Sequence, residues 1–271
     1  MKEDMESDVF SGTFALVTGA SSGLGEEFAR QLAHRGCNLV LSGRSREKLE
    51  TLASDLSRIN GVATRVVTAD LAQPGGAEQL ALIIDDLGAT IDHVINNAGF
   101  GSAGDFSESE LHRQTTMVRV NCEAVVCLSR HFLPGMVRRN RGGIINVGST
   151  AAYQPTPYMA TYGASKAFVV SFSAALASEL EKTNVRVLAC CPGPVPTGFQ
   201  AAAGMPEGSV LKFAKLEPNA VVQRTLEAYT AGRVVYVPGK VNSVQTTLSK
   251  IFPRAVVVRA AKYTMRKLGR A

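Results

Sequence analysis

Short apolar runs alternate along the chain with longer segments in which apolar residues recur every three or four positions. The first pattern is typical of buried parallel strands and the second of amphipathic helices. Strands are predicted near residues 14–18, 38–42, 63–68, 93–96, 143–147, 185–190 and 234–237. Helices are predicted near 24–35, 46–59, 76–87, 108–139, 157–183 and 218–229.

Regular alternation of strands and helices predicts a parallel sheet covered by helices on both faces. Right-handed crossovers then give a doubly wound arrangement. We predict a single α/β domain with a Rossmann fold and a seven-stranded parallel sheet. This domain is expected to span 11–239, after a polar extension at 1–10 and before a basic amphipathic tail at 240–271.

The formal charge of +6 is concentrated in the tail. Residues 240–271 contain eight Lys or Arg and no Asp or Glu, which leaves 21 basic and 23 acidic residues in the rest of the chain. A nucleic-acid-binding surface on the main domain is therefore not expected. From Pro253 the tail predicts a helix with Arg259 and Lys262 on one face and Val257 and Ala261 on the other. Docking on the body or on a sister subunit, contact with a membrane surface, and disorder remain alternatives for it.

Cysteine and histidine positions argue against a metal site. The five cysteines show no C-x-x-C pair or zinc spacing, and the four histidines are scattered, so neither a metal site nor a Ser-His-Asp triad is expected. Residues 1–8 are polar and acidic, unlike a signal peptide, and no stretch approaches eighteen apolar residues. We expect a cytoplasmic protein, with peripheral membrane contact as the alternative.

A glycine-rich segment, Gly19-Ala20-Ser21-Ser22-Gly23-Leu24-Gly25, lies between the first predicted strand and the first predicted helix. Glycines let the backbone approach a pyrophosphate, and the free N–H groups of a helix start face its negative charge. The segment therefore predicts a phosphate-binding turn, with the spacing Thr-Gly-x-x-x-Gly-x-Gly.

Tyr162 and Lys166 lie four residues apart, so a helix would place them on one face, one turn apart. A lysine held there favours the phenolate and is expected to lower the tyrosine pKa. Such a tyrosine could exchange a proton near neutral pH, as interconversion of a carbonyl and an alcohol requires. Because only two positions are fixed, chance on a solvated helix face is the alternative.

These motifs together resemble the short-chain dehydrogenase/reductase family, from about residue 11 to residue 239. Besides the glycine loop, the matching positions are Asp70-Leu71, Asn96-Asn97-Ala98-Gly99, Asn121, Ser149, Tyr162, Lys166 and Pro192-Gly193-Pro194-Val195-Pro196-Thr197. Phe-Ala-Arg-Gln-Leu and Gly-Cys-Asn-Leu-Val-Leu resemble a branch that includes reductases of bulky apolar ketones, such as 3-ketoacyl and steroid substrates.

The resemblance implies four catalytic residues. Tyr162 would deliver the proton, Ser149 would bond the substrate oxygen, Lys166 would bond the nicotinamide ribose, and Asn121 would open the helix and hold a water. Singly, Ser149 could be a turn hydroxyl and Asn121 a satisfied buried amide. The implied cofactor-binding residues are Gly19, Ser21, Ser22, Gly23, Leu24, Gly25, Arg44, Asp70, Leu71, Asn97, Ala98, Gly99, Tyr162, Lys166, Pro192, Gly193, Val195 and Thr197.

Cofactor choice is predicted from the end of the second strand. Folds that bind NAD usually carry an acidic residue there, whereas this chain has Gly43 followed by Arg44. A guanidinium binds a 2′-phosphate that a carboxylate would repel, so NADP(H) is favoured over NAD. Arg44 could instead merely begin the next helix, and Ser22 is not basic. Asp70 matches the adenine contact of the family, with capping of the next turn as its alternative role.

Residues 199–213 follow the proline-rich loop and carry apolar side chains, including Phe199, Met205 and Leu211. In the family this segment forms the substrate lid, and a surface loop is the alternative. We therefore expect an NADPH-dependent reductase of a bulky apolar ketone or aldehyde that forms a homodimer or homotetramer. Two alternatives are a peripheral membrane enzyme of lipid metabolism and a non-catalytic NADP-binding sensor.

Overall fold

The fold is a parallel sheet between two layers of helices, in a computed structural model that describes residues 8–205 and 216–268, with side chains described up to residue 265. The strands are β1 (Phe14–Thr18), β2 (Asn38–Gly43), β3 (Thr64–Thr68), β4 (His93–Asn96), β5 (Gly143–Val147), β6 (Arg186–Cys190) and β7 (Val235–Tyr236). The helices are α1 (Gly23–His34), α2 (Arg46–Asn60), α3 (Gly76–Asp86), α4 (Leu111–Val118), α5 (Ala124–Arg139), α6 (Ala160–Glu179), α7 (Phe199–Ala202), α8 (Pro218–Thr230), α9 (Lys240–Ile251) and α10 (Arg254–Leu268).

All seven strands pair in parallel, in the order β3-β2-β1-β4-β5-β6-β7. This confirms the predicted single Rossmann domain with a doubly wound seven-stranded sheet. The strand order reverses between β1 and β4, where Leu16 pairs with Val40 on one side and Val94 on the other. In open α/β sheets, ligands bind outside the carboxyl ends of the strands at such a reversal.

Alternate side chains of β1 enter separate cores on the two faces of the sheet, as strand geometry requires. Val17 belongs to the core that contains Phe28 of α1, and Leu16 to the core that contains Leu128 of α5. Burial on both faces explains why the strands are almost continuously apolar.

Two of the predicted helices have different bounds in the structure. The single helix predicted at 108–139 is interrupted: Ser109 is extended, α4 begins at Leu111, and a π-helical turn at Arg119–Glu123 separates α4 from α5. The helix predicted from residue 157 begins at Ala160, because Tyr158 has a left-handed φ of 67°. Helix α9 was not predicted from the sequence, which indicated one basic tail at 240–271 with a helix only from Pro253.

Candidate active site

The glycine-rich turn connects β1 to α1 at the carboxyl edge of the sheet. Gly19 has a φ of 65°, a conformation that favours glycine. A Cβ on Gly25 would lie 2.2 Å from the carbonyl oxygen of Gly19, so only glycine lets α1 pack this closely against the turn. The backbone N–H groups at the start of α1 are thereby presented beside the turn, the arrangement that binds a pyrophosphate.

The loop after β4 is tied to this turn by Thr18. The Thr18 hydroxyl accepts hydrogen bonds from the backbone N–H of Asn97 at 3.1 Å and of Ala98 at 3.0 Å. In return, the Asn97 side chain donates to the carbonyl oxygen of Thr18 at 2.9 Å. Asn96 donates to the buried Asn146 of β5 at 2.8 Å, which connects the central strands just below the loop.

The loop after β6 lies on the other side of the glycine-rich turn and forms a second wall of the candidate site. A Cβ on Gly23 would lie 3.2 Å from the methyl group of Thr197, so this loop closely approaches the glycine turn. Val195 accepts a hydrogen bond from the Gln200 side chain at 2.9 Å. Gly193 packs against α9, since a Cβ there would lie 2.5 Å from the side chain of Asn242.

Arg44 follows β2 and Asp70 follows β3, and both residues line the cavity at the carboxyl edge of the sheet. Arg44 directly follows Gly43, and its side chain is exposed. Asp70 Oδ1 accepts a hydrogen bond from the backbone N–H of Ala72 at 3.0 Å, which is the capping role considered for it. Asp70 nevertheless also lines the cavity.

Tyr162 and Lys166 lie one turn apart on the same face of α6, with Lys166 Nζ 5.9 Å from the centroid of the tyrosine ring. Both side chains are buried, and Lys166 Nζ donates to the carbonyl oxygen of Val147 at 2.7 Å. Ser149, two residues after β5 ends, makes a hydrogen-bonding contact with Tyr162. Its hydroxyl also accepts from the backbone N–H of Ala151 at 3.1 Å, so it serves as a turn hydroxyl as well.

The pKa of Tyr162 differs from the sequence-based expectation. Burial raises it from the ordinary 10.0 to about 12, and the hydrogen bond with Ser149 offsets only part of this effect. Burial also lowers the pKa of Lys166 from 10.5 to about 8. The expected lowering of the tyrosine pKa by Lys166 is therefore not found: burial is the largest effect on the Tyr162 pKa, and the hydrogen bond with Ser149 is what lowers it. A phenol with this pKa stays protonated at neutral pH.

Asn121 lies in the π-helical turn between α4 and α5. Its carboxamide accepts from the backbone N–H of Phe100 at 3.1 Å and donates to the Phe100 carbonyl at 3.0 Å and to Ser165 Oγ at 3.0 Å. It is thus a satisfied buried amide in this structure. A Cβ on Gly99 would lie 3.0 Å from Asn121 Oδ1 and 3.4 Å from Lys166 Nζ, so these groups converge at the inner end of the cavity.

An apolar cluster adjoins the tyrosine. Phe199 of α7 lies with its ring centroid 5.3 Å from that of Tyr162. Met117, Met159 and Ala203 are buried in the same cluster, against which Met265 of α10 also packs. The lid predicted at 199–213 is therefore partly visible, and residues 206–213 lie outside the described residues. The space beside the phenol is apolar.

These parts enclose one continuous cavity of about 810 Å³. Every predicted site residue lines it except Gly25 and Asn121, which lie directly behind its wall. The volume falls within the range of cofactor and ligand sites.

Two lining residues of α4 were not singled out from the sequence. Arg113 donates to the carbonyl oxygens of Ala202 at 2.8 Å and Gly101 at 3.3 Å, which joins α7 to the loop after β4. Thr116 is buried, and its hydroxyl has no hydrogen-bond partner among the described residues. An arginine three residues after Glu110 in a predicted helix resembles part of a solvated face, so the sequence pattern gave no signal for a role in the cavity.

A glycine-rich turn at the reversal point of a parallel sheet, next to a buried tyrosine and lysine, is the arrangement typical of dinucleotide-dependent oxidoreductases. The family model described as "short chain dehydrogenase" matches residues 13–207. The chain belongs to this family of oxidoreductases, which act on CH–OH and C=O groups. The resemblance inferred from the motifs is confirmed.

Curated relatives include a "Very-long-chain 3-oxoacyl-CoA reductase" from Phaeosphaeria nodorum. It is 40% identical over 182 residues, which cover 65% of this chain and 53% of that protein. The chain thus spans about half the length of the curated relatives it matches.

Solved structures extend the likeness over nearly the whole chain. A short-chain dehydrogenase from Sphingobium yanoikuyae in complex with NADPH is 29% identical, with a TM-score of 0.79 and coverage of 90% of this chain and 97% of that one. A 7beta-hydroxysteroid dehydrogenase is 28% identical, with a TM-score of 0.84 and coverage of 95% and 100%.

Proposed function

We propose that the protein is an NADPH-dependent reductase of a bulky, apolar ketone or aldehyde. The observation that carries this proposal is the placement of Ser149, Tyr162 and Lys166 between a phosphate-binding turn and an apolar cluster. The reaction is reversible in principle and runs as an alcohol dehydrogenase in the opposite direction.

The cavity fits a dinucleotide. Gly25 leaves no room for a Cβ beneath the turn, which keeps the backbone close enough to bind a pyrophosphate. Arg44 would hold the 2′-phosphate of NADPH, Asp70 the adenine end and Lys166 the nicotinamide ribose. NADPH is favoured because Gly43 takes the place of the acidic residue that would repel that phosphate. The related enzyme from Sphingobium yanoikuyae binds NADPH. When bound, the cofactor supplies the hydride.

The chain's own residues handle the proton and the developing charge. Tyr162, whose pKa is raised to about 12 by burial, holds its proton at neutral pH and donates it to the substrate oxygen. Ser149 donates a hydrogen bond to the same oxygen and stabilises its negative charge. Lys166 places a positive charge behind the tyrosine and stabilises the phenolate that forms. Asn121 fixes the backbone of Phe100 and holds the inner end of the cavity in place.

The apolar cluster supports a large apolar substrate. Phe199, Met159 and Met117 line or support the space beside Tyr162, and burying apolar substrate surface there gains about 25 cal/mol per Å². A small sugar or a dicarboxylate would instead need several fixed polar partners. The related 7beta-hydroxysteroid dehydrogenase acts, by its name, on a molecule of this class.

A 3-oxoacyl thioester is the second candidate substrate. The relative from Phaeosphaeria nodorum is named a reductase of such thioesters and aligns over 182 residues. A long acyl chain would satisfy the same apolar cluster. The oligomeric state and the cellular location remain predictions. Of the helices that the structure describes, none combines the length and apolar character needed to cross a bilayer.

NADPH consumption measured with a panel of carbonyl compounds tests the proposal. Steroid-like ketones, 3-oxoacyl thioesters of increasing chain length and short polar carbonyls should be compared at equal concentration. We expect kcat/KM to rise with apolar size. Turnover restricted to short polar carbonyls would contradict the proposed substrate class. Tight NADPH binding without turnover on any carbonyl would instead support the sensor alternative.

A further inference from the structure

Helix α9 buries two polar residues and leaves its four apolar residues exposed. Asn242 and Thr246 are buried, with 2% and 5% of their surface exposed. Val244 and Ile251 are 59% and 71% exposed. A surface helix of a monomeric protein normally has the reverse arrangement. The outward apolar face therefore needs a separate explanation.

The exposed apolar residues of α9 form one continuous stripe. Val241, Val244, Leu248 and Ile251 follow the spacing of a single helix face, and Phe252 extends this face past the end of α9. We call these five residues the α9 stripe. Single exposed apolar residues are ordinary on protein surfaces, but a continuous patch marks an interaction site.

Contacts on the inner face fix the orientation of the helix. Asn242 donates to the carbonyl oxygen of Pro238 at 2.9 Å and packs directly against Gly193. Near the other end of α9, Ser249 bonds the side chain of Gln154 at 3.3 Å. Because these polar contacts hold both ends, α9 cannot rotate to bury its stripe without breaking them.

The charged residues of α9 and α10 are all basic. Lys240 and Lys250 lie on α9, and Arg254, Arg259 and Lys262 lie on α10. The ammonium of Lys250 lies 4.7 Å from the centroid of the Tyr153 ring, on the side of α9 that faces the body. Residues 240–271 contain no acidic side chain. An apolar helix face in a segment whose charged residues are all Lys or Arg has the chemistry of helices that lie in the interface of an anionic bilayer.

We propose that the α9 stripe, together with the basic residues of α9 and α10, docks on an anionic lipid bilayer. A second copy of the chain fits less well. A symmetric contact would place two tails face to face, each with eight basic residues and no acidic one. A contact between the stripe and a different surface of a second copy would not close into a symmetric dimer.

Docking would bring the bilayer close to the cavity. Gly193, against which the inner face of α9 packs, lines the cavity. The bilayer surface and the cavity wall would then be separated by about one helix diameter, ~10–12 Å. An apolar substrate dissolved in the membrane would have a short path to the site. This proposal goes beyond the reductase assignment, and the docking itself does not depend on it.

Vesicle flotation with the full chain tests the proposal. The protein should float with vesicles of phosphatidylcholine and phosphatidylserine, bind pure phosphatidylcholine at least tenfold more weakly, and dissociate as salt is raised. The double variant Leu248→Ser/Ile251→Ser should bind the anionic vesicles at least tenfold more weakly. The matched control is Ile59→Ser/Leu82→Ser, whose side chains are 63% and 60% exposed outside the stripe. It should bind like the wild type.

Both double variants should keep the Tm and the NADPH affinity of the wild type, since the altered side chains are exposed and lie outside the cavity lining. Three results would overturn the proposal. One is no binding of the wild type to anionic vesicles, and another is an equal loss of binding in the control variant. The third is conversion of an oligomer to a monomer by Leu248→Ser/Ile251→Ser in light scattering, which would show that a second copy covers the stripe.

Discussion

Replacing Arg44 with aspartate is expected to shift cofactor preference from NADPH towards NADH. Arg44 follows the last residue of β2, lines the cavity and has an exposed side chain. In the proposed complex its guanidinium bonds the 2′-phosphate of NADPH. Aspartate would remove this contact, repel the phosphate, and provide an acceptor for the 2′-hydroxyl of NADH.

The size of the effect follows from the exposure of the site. A hydrogen bond to a charged group contributes about 1.5–3 kcal/mol, and the lower value suits an exposed side chain. Two like charges about 4 Å apart in water repel by about 1 kcal/mol. Together these effects amount to about 2.5 kcal/mol, which corresponds to roughly 70-fold weaker NADPH binding. NADH binding should strengthen by about 1 kcal/mol, or roughly fivefold, through one new hydrogen bond.

Titration of both cofactors measures these changes. Since the chain contains no tryptophan, nicotinamide fluorescence or calorimetry is the suitable readout. Arg46→Asp is the matched control, because Arg46 begins α2, pairs with Glu50 at 3.2 Å and is not among the residues that line the cavity. It changes the net charge equally. If Arg44→Asp weakened NADPH binding no more than Arg46→Asp, the phosphate would have to be held elsewhere.

Two further predictions concern the substrate and the stability of the fold. Phe199→Ala removes the ring that lies 5.3 Å from Tyr162. It should lower kcat/KM for bulky ketones by roughly tenfold or more and leave small ketones nearly unaffected; equal losses for both would argue against an apolar substrate contact. Burial lowers the pKa of His93 from 6.5 to about 4, so His93 stays neutral in the fold while the unfolded chain binds a proton. Stability should therefore fall by roughly 3 kcal/mol as pH drops through this window. Urea unfolding of the wild type and of His93→Gln should show a smaller fall for the variant, and identical pH profiles would refute this assignment.

The sheet was predictable because its signal is local and repeated. Each strand is a short apolar run such as Phe14–Thr18, and each is followed by a helical pattern. The pairing of Tyr162 with Lys166 was predictable for the same reason, since four residues on a helix make one turn. The later start of the helix at Leu111 was not, because the extended conformation at Ser109 leaves no clear mark in the apolar pattern.

Properties that depend on depth of burial could not be obtained from spacing. The sequence places a charge next to Tyr162, but desolvation decides the direction in which its pKa moves. The orientation of α9 was hidden for a related reason. An apolar stripe is expected to face the core, whereas contacts of Asn242 and Ser249 turn this one outward. Arg113 could not be predicted as a lining residue because its contact with the carbonyl group of Ala202 joins positions that are distant in sequence.

The central claim is that Tyr162 gives its proton to the substrate, and Tyr162→Phe tests it most directly. Phenylalanine keeps the ring that packs beside Phe199 and removes only the hydroxyl. NADPH affinity and kcat should be measured together, on a ketone that the wild type reduces. The account predicts unchanged NADPH affinity and a loss of about 10²–10⁴-fold in kcat. A kcat within a few-fold of the wild-type value would contradict the account.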